Sequence, residues 1–133
     1  MIRDPLYQTP EKPLVNAGLC ALQLHDEPAA EGWLRRAVRV QPADPQGAGA
    51  LAELLASQGH PGEAREILRP VLRNEQPPLR VLQKLIELDR ELQDPEQQRE
   101  HEAMLRRFYP EAAAASDGGA RRGDAEAHPE SRP

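Results

Sequence analysis

Apolar residues recur at three- and four-residue intervals along most of this chain, the spacing of helices that turn one face to a core. Over 27–40 they are Ala30, Leu34, Ala37 and Val38; over 45–58 they are Ala48, Leu51, Ala52 and Leu55. Over 61–73 they are Ala64, Ile67, Leu68 and Val71. The stretch 78–92 carries two overlapping stripes, Leu82-Leu85-Ile86 and Val81-Leu85-Leu88-Leu92, which predicts a helix packed on two sides. A sixth interval, 95–108, presents His101, Met104, Leu105 and Phe108, and a first helix is expected at 13–24.

Prolines set the boundaries. Asp44-Pro45, His60-Pro61 and Asp94-Pro95 place a side chain able to cap a helix just before a proline suited to its first turn. Asp26-Glu27-Pro28 is a looser form of that signal, and Asp94 with Gln97 has capping-box spacing. Gln41-Pro42, Gln76-Pro77-Pro78 and Tyr109-Pro110 fall where helices should stop. The short connections favour antiparallel neighbours. Pro70 interrupts an apolar stripe, so a kink near the end of the 61–73 helix is expected.

Composition supports helices and narrows the chemistry. The 133 residues are only 3% aromatic and rich in Ala, Leu, Glu, Gln and Arg, too poor in strand formers for a sandwich or barrel. The net charge of −5 is spread without a basic stripe or interleaved aromatics, so nucleic acid is not an expected partner. No apolar run approaches the length of a membrane span. No nucleophile–base set, phosphate-cradling glycine loop or metal spacing stands out, so neither catalysis nor a cofactor is expected. Ser57, Ser116 and Ser131 lack histidine–carboxylate companions. His25 and His60 read as turn residues, His101 as a partly buried filler, and His128 lies near the end of the chain. Cys20, the one cysteine, reads as a small buried hydrophobe, with a reactive thiol or an external disulfide as the alternatives.

Units starting at residues 11, 45 and 79 share a period of 34 residues, the tetratricopeptide length. The first unit supplies Leu14, Ala17-Gly18, Ala21, Ala30, Leu34, Ala37 and Pro42 at the signature positions. The second has Leu51-Ala52, Leu55, Gly59, Ala64, Leu68 and Val71. The third has Leu82, Leu85-Ile86, Leu105 and Pro110, but Gln98 and Glu102 stand where alanine and a large apolar residue are usual. The chain therefore resembles tetratricopeptide-repeat proteins over 11–112. That resemblance implies an all-α, right-handed solenoid of helix-turn-helix repeats at 11–44, 45–78 and 79–112. An extension at 1–10 precedes it, and the polar residues 113–133 are expected to be disordered, with no helix after Pro110.

A narrower resemblance rests on Asp4-Pro5-Leu6-Tyr7 and Val15-Asn16-Ala17-Gly18-Leu19-Cys20-Ala21-Leu22. It continues through Ala30-Glu31-Gly32-Trp33-Leu34-Arg35-Arg36-Ala37 and Leu105-Arg106-Arg107-Phe108-Tyr109-Pro110. These segments are similar to the C-terminal half of the type IV pilus biogenesis and stability proteins PilW and PilF, pilotins of the outer-membrane secretin. The resemblance implies a secretin or another pilus-assembly protein as partner, at the periplasmic side of the outer membrane. Met1-Ile2-Arg3-Asp4-Pro5 has no apolar leader, so a chain starting there would be a cytoplasmic adaptor for an unrelated protein segment. With no repeat ahead of residue 11, the N-terminal face is expected to self-associate or to stack on preceding repeats.

In repeats of this kind the first helix of each pair lines the concave surface. The expected partner groove is an apolar strip of Val15, Leu19 and Leu22 passing into a mixed-charge strip of Glu53, Glu87 and Arg90. Grooves of this family that clamp C-terminal carboxylates use lysine and asparagine, where Val15 and Leu19 stand here. An amphipathic helix or an extended segment is the expected occupant.

Overall fold

The computed structural model describes residues 11–115. Among them six α-helices pack as successive pairs: α1 (Glu11–Gln23) on α2 (Glu27–Val40), α3 (Pro45–Ser57) on α4 (Pro61–Leu68), and α5 (Leu79–Glu91) on α6 (Pro95–Phe108). A 3₁₀ segment, Arg69–Arg73, prolongs α4. The described residues contain no strand.

Each pair turns the same way, and the turns carry the repeat in the backbone. His25, Gly59 and Gln93, 34 residues apart, have φ of 61°, 85° and 55°. The next amide in each case donates back to a carbonyl of the preceding helix: Asp26 to Ala21 (2.8 Å), His60 to Leu55 (2.9 Å), Asp94 to Asp89 (2.9 Å). These left-handed C-terminal turns satisfy carbonyls that the helix end would leave bare. The second helix then starts on a cap. Asp26 accepts from the Ala29 amide and Asp94 from the Gln97 amide, at 3.2 and 3.3 Å. His60 occupies the cap position of α4 without a side-chain bond. The capping box at α6 forms only its first half, because the Asp94 amide is already bonded to Asp89 and the Gln97 side chain turns to Glu100.

Gly18 marks the tightest crossing. A Cβ built there would lie 2.6 Å from Leu34 Cγ, and Ala30 below it is fully buried. The two stripes of α5 separate as expected. Val81, Leu85 and Leu88 join the main core with Leu34, Leu51, Leu55 and Leu68, while Leu82 and Ile86 form a second cluster with Leu105.

Three expectations change. The 61–73 helix ends at Leu68 and tightens into the 3₁₀ segment, because Pro70 has no amide to offer the Glu66 carbonyl. Cys20 is exposed on α1 rather than buried. Residues 110–115 are helical, and Ala113 is buried against Leu82, Ile86 and Leu105, so the chain beyond Pro110 begins as a covering turn. The remainder of the expected disordered tail and the extension 1–10 lie outside the described residues.

Candidate functional site: a concave groove

The first helices of the three pairs share one face of the stack, and a groove of about 550 Å³ opens between them. Leu19 on α1, Gly49, Ala50 and Glu53 on α3, and Arg80, Val81 and Lys84 on α5 line it, with Leu68 of α4 reaching its floor. The 34-residue period explains the arrangement: Leu19, Glu53 and Glu87 hold one position in successive repeats, and Ala50 and Lys84 another. A row that is apolar in the first repeat thus becomes acidic in the next two.

Of the six residues expected there, Leu19 and Glu53 line the groove. Val15 does not. It is 1% exposed, and its Cγ2 would lie only 3.3 Å from a Cβ at Gly47, so the glycine makes room for it inside the α1–α3 contact. Leu22 is partly buried against the core rather than presented to a partner. Glu87 is exposed at the rim and paired with Lys84 at 3.6 Å, while Lys84 also sits 3.5 Å from Glu53. Arg90 is exposed but outside the lining. The sequence reading missed Lys84 and Arg80, although their spacing of one turn from Glu87 and Lys84 respectively placed them on the same helix face.

A second cluster was hidden in a charged run. Asp89 on α5 is fully buried; its carboxylate accepts from Arg65 Nη1 of α4 at 3.0 Å and meets His101 Nδ1 of α6 at 2.5 Å. The same Arg65 nitrogen donates to Asp94 at 2.9 Å, while Arg65 Nε is buried without a partner. Burial opposes the Arg65 charge, but the hydrogen bonds to Asp89 and Asp94 outweigh it and raise its pKa. Asp94 is held below the usual carboxylate range, first by the Gln97 amide and then by Arg65. None of these side chains lines the groove; the cluster ties α4, α5 and α6 together.

No family model and no curated protein matches the chain. A solved structure of PilF from Pseudomonas aeruginosa does, with a TM-score of 0.65 and 23% identity, over 90% of this chain. The chain spans 54% of that structure's length. No described helix is long and apolar enough to cross a membrane. The paired helices, the turns repeating every 34 residues and this likeness together make the chain an all-α solenoid of the tetratricopeptide type, similar in fold to about half of PilF.

Proposed function

We propose that the chain is a non-catalytic protein-interaction module that supports type IV pilus biogenesis by aiding assembly or stability of the outer-membrane secretin. The observation that carries this reading is a solenoid, similar in fold to PilF over 90% of the chain, whose first helices hold an open groove on one face. The chemistry of the groove suits recognition. The half-buried Leu19 supplies hydrocarbon to bury, and the exposed charges at its rim select among partners more than they add affinity.

Deleting the gene in its host and following secretin multimers and surface piliation tests the proposal. Loss of multimers, restored by the wild-type gene, is the expected result. Unchanged multimers and pili would overturn it and favour the alternative, an adaptor in the cytoplasm for an unrelated protein segment; fractionation of the tagged protein then separates the two compartments.

A further inference from the structure

The 34-residue period lets each first helix be compared with the others position by position. Against the repeat before it, α5 buries Val81, Leu85 and Leu88, and α3 buries Gly47, Leu51 and Leu54. The matching positions of α1 are Pro13, Ala17 and Cys20; the first and last are exposed and Ala17 is half-buried. Gly18 and Ala21 of the same helix stay buried, because they face Leu34 and Ala30 of α2. The core positions of α1 that lose burial are therefore those whose counterparts meet an earlier helix pair.

The second helices add a polar element to each contact between repeats. Arg35 of α2 pairs with Glu63 in the first turn of α4 at 2.7 Å, and Arg65 of α4 pairs with Asp94, the cap of α6, at 2.9 Å. Asp26 holds the position of Asp94 in the first repeat. The two caps share a backbone shape, with φ −101° and ψ 80° at Asp26 and φ −117° and ψ 79° at Asp94. Each uses Oδ1 to accept from the amide three residues on. Asp94 then accepts from Arg65 with Oδ2, whereas Asp26 is exposed and its Oδ2 has no partner among the described residues.

We propose that this face of the first repeat docks an amphipathic helix of another polypeptide, with apolar side chains against Ala17 and Cys20 and an arginine on Asp26. The occupant is specified by what the chain itself twice places on the same surface, α2 on α3 and α4 on α5. α4 gives the pattern, Arg65 followed at intervals of three residues by Leu68 and Val71. Ala17 and Cys20 are smaller than the leucines at their counterparts, so large apolar side chains on the arriving helix are needed to fill the contact. A second copy of this chain does not offer such a helix. Its α2 and α4 are covered by α3 and α5, and its α6 carries Gln98 and Glu102, bonded to each other at 2.9 Å, where α4 has Ala64 and Leu68. The surface is separate from the groove and does not depend on a role in pilus assembly.

A phage library of helices on a fixed scaffold, randomised on one face, provides the test when selected on the full chain and counter-selected on Cys20→Arg. The expected pool carries large apolar residues three or four apart with an arginine one turn before them. The leading helix should slow alkylation of Cys20, the single thiol of the chain. It should bind Cys20→Arg about tenfold or more weakly. Asp26→Asn keeps a capping side chain and removes the charge. Changing the selected arginine to glutamate should weaken binding to the wild type by severalfold, the scale of an exposed ion pair, and the difference should vanish on Asp26→Asn. The alkylation rate is read on the wild-type chain, so it decides the matter even where a variant folds poorly. No enrichment, bound helices that leave Cys20 as reactive as before, or binding indifferent to Cys20→Arg would overturn the proposal. So would concentration-dependent dimers that protect Cys20, since a second copy would then take the face. Secretin multimers in the deletion strain report on the proposed function alone.

Discussion

Gly18 and Gly49 both lie inside first helices, yet they face opposite surroundings. A side chain at Gly18 would enter the space of Leu34, which is fully buried and has nowhere to move, whereas Gly49 opens on the groove. Gly18→Leu should cost about 1–3 kcal/mol or more through overpacking, a fall of several degrees in the thermal midpoint. Gly49→Leu should leave the midpoint unchanged or raise it, since glycine in a helix interior is disfavoured by about 1 kcal/mol relative to good helix formers. Paired circular-dichroism melts decide the matter, and equal sensitivity at the two sites would disprove the register. Asp94 offers a second residue-scale test. Its folded-state pKa is lowered, chiefly by the Gln97 amide and then by Arg65. A lowered pKa contributes stability above the unfolded value of about 4, and that contribution disappears as pH falls through the folded value. Asp94→Asn should therefore be less stable than wild type at neutral pH and show a flatter decline in acid, as followed by denaturant midpoints across the acidic range.

At the scale of elements, α5 is the helix on which the molecule turns. One face joins the main core, the other joins α6 and the 110–115 segment, and its exposed edge forms part of the groove. Position 89 matches Leu55 and Ala21 of the earlier repeats, both buried, but carries a carboxylate. Removing one partner of a buried ionic cluster leaves the others unpaired, so Asp89→Ala should cost about 3–5 kcal/mol. Replacing the cluster together, as Asp89→Leu with Arg65→Leu and His101→Phe, should recover most of that loss, because well-packed apolar groups do without the desolvation of charge. Urea denaturation of the single and triple variants measures both; a triple variant no more stable than Asp89→Ala would show that the cluster adds something that packing cannot. The apolar stripes of α5, and its packing on two sides, were plain in the sequence; which stripe joins which cluster was not. Asp89 was not, because within Glu87-Leu88-Asp89-Arg90-Glu91 it looks like one more solvated charge. The available signal was the repeat itself, which aligns it with two core positions.

At the scale of the whole molecule, a stack of repeats needs its last apolar face covered. The 110–115 segment does this for the third repeat, with Ala113 buried on Leu82, Ile86 and Leu105. The Tyr109 hydroxyl, donating to the Pro77 carbonyl at 2.7 Å, fixes where that segment begins. Ala113→Glu should destabilise the chain by about 1–3 kcal/mol through crowding and the burial of an unpaired charge, whereas Ala114→Glu, on the exposed side, should be nearly neutral. Thermal melts of the two variants provide the comparison, and equal losses would show that the segment does not act as a cover. The run of alanines after Pro110 concealed this role, since alanine marks neither a core nor a tail by itself.

The sequence by itself determined the six helices, their pairing, the 34-residue period and the tight crossing at Gly18. Each of these depends on local spacing, on caps, or on a repeat that can be compared with itself. Tertiary structure alone decided which side of each first helix reaches the groove. Val15 was lost to the core because Gly47, on another helix, leaves it room, and Leu22 because it meets the clusters beneath. Lys84 became central because α3 and α5 bring Glu53 and Glu87 to either side of it. Helix periodicity states which residues share a face; the rotation of that face against its neighbours depends on side-chain volumes from distant parts of the chain, which no single helix contains.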